Sequence, residues 1–113
     1  METEDIPETG HASDWLPATD PLLVGLLAKL GEESGELATI CSRCIAQGGL
    51  DEKDPATGKL NRDALQDELA DVSAISFLAV EYLALNMRAI MDRRERKRAF
   101  KRPWFDWLKS LRK

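Results

Sequence analysis

Two pairs of acidic residues occur at three-residue spacing within apolar, helix-like stretches of the chain. Glu33 and Glu36 lie within KLGEESGEL, and Glu68 and Asp71 lie within LQDELADVSA. Carboxylates three residues apart lie on the same side of a helix. Four carboxylates from two neighbouring helices provide the oxygen ligands that a hard divalent cation such as Mg²⁺ prefers. The spacing therefore predicts a candidate cation site shared by two helices.

One acid of each pair falls on the apolar stripe of its helix. The apolar members of the two stripes are Leu23, Leu26, Leu30, Leu37, Ile40 and Cys44, then Leu65, Val72, Ile75, Ala79 and Leu83. At about 100° per residue, Glu33 falls within the first stripe and Glu68 within the second. Glu36 and Asp71 lie about 60° to one side. A carboxylate in such a stripe is costly unless it is paired or binds a metal. The alternative, a solvated acidic edge, does not explain acids among leucines.

The complete motif reads EExxE from Glu32 to Glu36 and then ExxD from Glu68 to Asp71. This pattern resembles the signature of the all-α nucleotide pyrophosphohydrolases, the MazG-like superfamily. That group includes MazG, dCTP pyrophosphatase, dimeric dUTPases and phosphoribosyl-ATP pyrophosphohydrolase. The resemblance extends over about residues 22–100. It implies an enzyme that uses Mg²⁺ or Mn²⁺ to convert an NTP or dNTP to its monophosphate and pyrophosphate.

Roles for the acidic residues follow from this resemblance. The implied metal ligands are Glu33, Glu36, Glu68 and Asp71. The implied catalytic residues are Glu32, Glu33 and Glu36, with Glu32 either holding a second ion or orienting the attacking water. Metal-assisted attack suits this chain, because a metal can activate water and neutralise phosphate charge without a nucleophilic side chain.

Candidate substrate contacts are basic and aromatic residues. Members of the resembled family carry an Asn and a Lys on the last helix that reach the phosphates, whereas residues 92–98 of this chain contain no Asn. We predict that Lys29, Arg94 and Lys97 contact substrate phosphates. Trp15 either packs the N-terminal arm on the core, which is the interpretation we favour, or stacks on the nucleobase, as aromatics in pockets often do.

Charge is divided unevenly along the chain. Residues 1–87 contain 5 basic and 17 acidic residues, a net charge of −12, whereas residues 88–113 contain 11 basic and 3 acidic residues, a net charge of +8. The acidic part suits cations, and the basic part suits phosphates or an acidic neighbouring subunit. Nucleic acid is a less favoured partner, because the whole chain is acidic and has no recognition motif.

The sequence predicts neither a transmembrane helix nor a signal peptide. No run of 18 apolar residues predicts a transmembrane helix. The acidic, polar start lacks the basic and apolar regions of a signal peptide. We therefore expect a cytoplasmic protein with no membrane among its partners.

Helix signals divide the chain into three parts. We predict a flexible N-terminal arm over residues 1–19, a MazG-like helical domain over 20–102 and a Trp-rich basic tail over 103–113. Asp20-Pro21 predicts the start of the first helix, which Gly48-Gly49 ends near residue 47. The composition of the tail is typical of an interfacial amphipathic segment, but packing on a second subunit is the interpretation we favour.

Two further helices are predicted from caps and breaks. Asn61 or Asp63 caps a second helix that continues to about residue 85. Asn86 caps a third, which Pro103 ends at about residue 102. Three or four helices predict an all-α bundle. We expect oligomerisation to complete it, as a homodimer or homotetramer, because two long helices and a short third do not cover every apolar face.

Two alternatives remain open at the level of sequence. Phosphoribosyl-ATP pyrophosphohydrolase breaks the same kind of bond, so the acidic motif does not separate it from an NTP pyrophosphohydrolase. From another class, the chain is a non-catalytic helical module that binds nucleotide or a protein partner. The sequence has neither the Glu-x-x-His pairs of a di-iron bundle nor a glycine-rich phosphate loop.

Overall fold

The computed structural model describes residues 15–112, which form three α-helices. They are α1 (Pro21–Ala46), α2 (Asn61–Tyr82) and α3 (Met87–Ser110). This part of the chain contains no β-strand, and an isolated antiparallel bridge joins Lys53 to Leu60 in the loop before α2. The predicted all-α class is therefore confirmed. None of the helices within residues 15–112 is both long and apolar enough to cross a membrane.

The first helix begins and ends where its local signals predict. Asp20 accepts a hydrogen bond from the Leu23 backbone N–H at 3.2 Å. Pro21 follows in the first turn, where a missing N–H costs nothing. Past the end of the helix, Gly48 and Gly49 have φ values of +95° and +126°. Only glycine adopts such angles readily, so this pair ends α1.

The predicted apolar stripes are the faces that the structure buries. Every stripe residue of α1 and α2, including Glu33 and Glu68, is buried or half-buried. The predicted edge residues Glu36 and Asp71 are exposed. Among the described residues, the apolar side chains that are buried are small ones, Cys44, Ala64 and Ala79. The core of the single chain is therefore thin.

A buried hydrogen-bond network joins the end of α1 to the start of α2. Asn61 is completely buried. Its Nδ2 donates to the Gln47 side chain and to the Gly49 carbonyl, each at 3.1 Å. Gln47 donates to Asp54 at 2.9 Å, and the Thr57 hydroxyl donates to Asp54 at 3.2 Å. These bonds hold the two helix ends together, so they also position the acids that the helices carry.

The predicted capping role of Asn61 is wrong. Asn61 is the first residue of α2, and its Oδ1 has no hydrogen-bond partner. The side chain is directed to the loop because its amide group satisfies carbonyl oxygens that would otherwise be buried without a donor. Asp63 lies in the first turn of α2, where a negative charge is favourable beside the helix N-terminus.

The described chain divides into two compact units, and the boundary falls inside α2 between Ser76 and Phe77. The first unit contains α1, the connecting loop and most of α2, and the second contains the end of α2 and α3. Residues 1–14 of the predicted arm lie outside the described residues. Trp15 and Leu16 are 81% and 89% exposed, so the predicted packing of the arm through these residues is wrong.

The third helix begins at its predicted cap and continues past its predicted end. Asn86 accepts a hydrogen bond from the Ala89 backbone N–H at 2.9 Å. The predicted end near residue 102 is wrong, because α3 continues through Pro103 to Ser110. A proline inside a helix removes one backbone hydrogen bond but does not prevent the following residues from making theirs. The basic run and the Trp-rich segment therefore share one helix.

Candidate functional site

Three carboxylates contributed by α1 and α2 meet in the first unit. Oxygens of Glu33, Glu36 and Glu68 all lie within 4.8 Å of one another. Glu33 is 9% exposed, Glu68 is half-buried and Glu36 lies at the exposed edge. We call these three residues the acidic cluster. The structure thus brings together three of the four acids that the motif predicted as metal ligands.

Two buried oxygens of the acidic cluster have no hydrogen-bond partner. They are Glu33 Oε1 and Glu68 Oε2. The second oxygen of Glu33 lies 3.6 Å from Lys29 Nζ. A buried carboxylate oxygen without a partner destabilises the folded state. A hard divalent cation would satisfy such oxygens.

The proximity of the three carboxylates raises the pKa of two of them. The pKa of Glu68 is raised from 4.5 to about 7, first by the hydrogen bond that its protonated form can donate to Glu33, then by burial and by the charges of its acidic neighbours. The pKa of Glu36 is raised chiefly by the negative charge of Glu33. Three anions so close together are unfavourable, so a proton or a cation at this position would stabilise the arrangement.

The other two acids of the motif lie beside the acidic cluster. Asp71 is exposed, and its charge contributes to the raised pKa of Glu68, but its oxygens are not among those within 4.8 Å of one another. Glu32 is exposed and accepts a hydrogen bond from Lys29 Nζ at 3.0 Å. Lys29, predicted to contact substrate, therefore lies between Glu32 and Glu33, and Glu32 raises its pKa.

The predicted phosphate contacts on α3 belong to the second unit. Arg94 and Lys97 line a concave space of about 420 Å³ along this helix, together with other basic side chains. Arg94 also forms an ion pair with Glu95 at 3.1 Å. Contact of Arg94 and Lys97 with phosphate stays a prediction, as does stacking of the exposed Trp15 on a base.

The buried hydrogen-bond network between α1 and α2 contains positioning residues that the sequence did not predict. Asp54 is buried, lies 3.8 Å from Arg43 in an ion pair and accepts hydrogen bonds from Gln47 and Thr57. These contacts, the Gln47 bond first, lower the pKa of Asp54. The sequence DPATG around Asp54 indicates a turn. It does not reveal that the carboxylate of that turn binds the end of α1.

No model of a protein family, no curated protein and no solved structure matches this chain. The acidic motif and the geometry of the acidic cluster are therefore the observations that bear on function.

Proposed function

We propose that this chain is a MazG-like, Mg²⁺-dependent nucleotide pyrophosphohydrolase that converts an NTP or dNTP and water to the monophosphate and pyrophosphate. The observation that carries the proposal is the acidic cluster, in which a buried Glu33 oxygen without a partner lies beside Glu36 and Glu68. The doubled acidic motif and the all-α fold support the same assignment. A binding scaffold gains nothing from carboxylates that destabilise its folded state.

The residues of the acidic cluster suit Mg²⁺ or Mn²⁺. Both ions prefer hard oxygen ligands, and the cluster offers only carboxylates. Glu33, Glu36 and Glu68 would hold the ion, and Asp71 is a fourth ligand by the motif alone. The bound ion would neutralise phosphate charge and make water more nucleophilic.

In the proposed reaction, a water oxygen forms a bond to the α-phosphorus and the bond from that phosphorus to the bridging oxygen breaks. Pyrophosphate leaves, and the proton of the water must be accepted nearby. Glu32 would orient the water and accept this proton, because its carboxylate is exposed and adjacent to the acidic cluster. Within the first unit, Lys29 would bind phosphate oxygens and Trp15 would stack on the base. Arg94 and Lys97 of the second unit are further candidate phosphate contacts by residue type alone.

We propose further that the active form is a homodimer or homotetramer. Large apolar side chains of α1, among them Leu22, Leu27 and Ile45, are exposed in the single chain, while the buried apolar residues of the described part are few and small. An isolated helical unit with so thin a core gains stability when a second copy covers these side chains. Light scattering of the purified protein would test this, and a monomer with full activity would contradict it.

The function is tested by incubating the protein with standard and modified NTPs and dNTPs, with and without Mg²⁺, and measuring pyrophosphate and monophosphate together. Equal, metal-dependent release of both products is expected. Glu33→Gln should abolish release while the circular dichroism spectrum is unchanged, and Glu81→Gln, an exposed acid of α2 outside the acidic cluster, should retain it.

Three other outcomes would change the assigned site, the substrate or the activity. Full activity in Glu33→Gln would refute the site assignment. If no nucleoside triphosphate is cleaved, phosphoribosyl-ATP is the next substrate to assay. Inactivity on that substrate too, with nucleotide binding retained, would refute the enzyme and leave a binding module.

A further inference from the structure

The C-terminal half of α3 separates apolar and basic side chains on different faces. Projected at about 100° per residue, four large apolar side chains fall within an arc of about 60°. They are Phe100, Trp104, Trp107 and Leu111. Each is more than half exposed, with 56% as the lowest value. This apolar face exists only because α3 continues through Pro103, since a helix end at that point would give the four residues no common direction.

The basic residues of the same segment occupy another face. Five of them fall within an arc of about 100°, centred about 140° from the apolar face. They are Arg98, Lys101, Arg102, Lys109 and Arg112. Asp106 is the only acid between residues 98 and 112. The one aromatic in the basic arc, Phe105, packs edge-on against Trp104 with ring centroids 4.8 Å apart.

We propose that this half of α3 binds peripherally to a membrane surface that contains anionic phospholipids. An exposed helix with Trp, Phe and Leu on one face and Lys and Arg on the other can lie in the plane of the interface. Its aromatic rings then enter the boundary between headgroups and acyl chains, and its cations contact lipid phosphates. Such a contact needs no membrane-spanning helix, and α3 is not one.

Two other occupants of this face fit the observations less well. Single-stranded nucleic acid is bound by aromatic side chains interleaved with cations, so that bases stack while phosphates are neutralised. Here the exposed rings of Trp104 and Trp107 lie on a face apart from most of the cations. In a symmetric contact between two copies of the same segment, the excess of positive charge in residues 88–113 would be brought together, and like charges oppose association.

Sedimentation of the protein with vesicles, which needs no tryptophan, measures its binding to phosphatidylcholine alone and to phosphatidylcholine with about 30% phosphatidylglycerol. In a Trp15→Phe background, the fluorescence reports Trp104 and Trp107. Binding to the anionic vesicles, with a blue shift in emission, is expected. Binding to the neutral vesicles should be at least about tenfold weaker, because the cations contribute little there.

Matched variants separate charge from apolar contact. Lys101→Gln with Lys109→Gln should weaken binding to the anionic vesicles by about 25-fold, or about fivefold for each charge removed near a charged surface. Lys53→Gln, an exposed lysine of the loop before α2, should leave it unchanged. Trp104→Ala with Trp107→Ala should abolish the binding, and conservative replacement of both by Phe should retain most of it.

Several results would overturn the proposal. These are equal binding to neutral and anionic vesicles, no binding to either, and binding that the double glutamine variant does not weaken. If vesicle binding is absent and the double alanine variant dissociates an oligomer, the apolar face is a subunit contact. If the protein instead binds a single-stranded oligonucleotide and loses this with the same variant, the face binds nucleic acid.

Discussion

Replacing Glu68 by glutamine is expected to weaken divalent-cation binding and to remove much of its pH dependence. In the metal-free protein the pKa of Glu68 is about 7, compared with an ordinary 4.5, and the hydrogen bond that its protonated form can donate to Glu33 is the largest cause. A cation that binds the acidic cluster must therefore displace a proton from Glu68 below neutral pH. Metal ligands bind in the deprotonated form, so the apparent affinity should follow the deprotonated fraction.

The size of the effect follows from the pKa value. One pH unit below a pKa of about 7, roughly a tenth of the protein has Glu68 deprotonated, so the apparent affinity for Mg²⁺ or Mn²⁺ should be about tenfold lower than its plateau. Above that pKa the affinity should be nearly constant. In Glu68→Gln the affinity should be low throughout, with only a shallow slope.

The stability of the metal-free protein should depend on pH in the opposite direction to the cation affinity. Because the pKa of Glu68 is raised on folding, the folded state holds a proton between about 4.5 and 7 that the unfolded state has lost. Stability should therefore fall as pH rises through this window, and the penalty is fully present above it. Glu68→Gln lacks this titration, so its metal-free form should be more stable than the wild type at alkaline pH.

Isothermal titration calorimetry with Mn²⁺ across this pH range, at constant ionic strength, measures the affinity, and urea unfolding in EDTA measures the stability. Glu81→Gln is the matched control and should behave as the wild type in both. An affinity that does not change below neutral pH, or a Glu68→Gln variant with wild-type affinity, would refute the assignment of this carboxylate as a ligand.

Three further predictions concern the stability of the loop between α1 and α2 and of α3. Asn61→Ala should lower the free energy of unfolding by about 1–3 kcal/mol, because it leaves a buried carbonyl without its donor, whereas Asn86→Ala, which removes an exposed cap, should cost about 1 kcal/mol. Stability should fall below about pH 4, where carboxylates become protonated. The lowered pKa of Asp54 means that its ionised form stabilises the folded state, and this contribution is lost as the carboxylate gains a proton. Asp54→Asn should flatten the decline in acid-unfolding curves. Pro103→Ala should raise the helical circular dichroism signal and stabilise α3 by up to about 3 kcal/mol, since it restores a backbone donor in a helix interior.

For each variant, one result would contradict the prediction. If Asn61→Ala costs no more than Asn86→Ala, the buried network does not hold the helix ends. If the acid-unfolding curve of Asp54→Asn matches that of the wild type, the carboxylate of the turn is not a determinant of stability. A loss of helical signal in Pro103→Ala would contradict the continuous helix.

Local interactions explain why the sequence alone predicted the helices and their inner faces. A cap such as Asp20 or Asn86 bonds to a residue three positions away, and the apolar stripe depends only on the helical repeat. The same repeat placed Glu33 and Glu68 among apolar residues, where the structure finds them buried and half-buried. These features are determined within a few residues, so they require no knowledge of how the chain folds back.

Local sequence preferences do not predict that α3 continues through Pro103. Proline has a strong preference against helix interiors, yet the residues on both sides of it continue α3. A preference of a few kcal/mol at one position is outweighed when a complete segment gains helical hydrogen bonds. Only the three-dimensional structure therefore reveals that Trp104 and Lys101 belong to the same helix.

Tertiary structure alone decided which acids meet and what holds them in place. The spacing along each helix predicts Glu36 and Asp71 equally as ligands, but the packing of α1 on α2 brings Glu68 to Glu33 and Glu36 and leaves Asp71 outside the acidic cluster. The bond from Asn61 to Gln47 joins residues 14 positions apart. Contacts of this kind depend on the approach of two separate elements, which periodicity and capping signals do not specify.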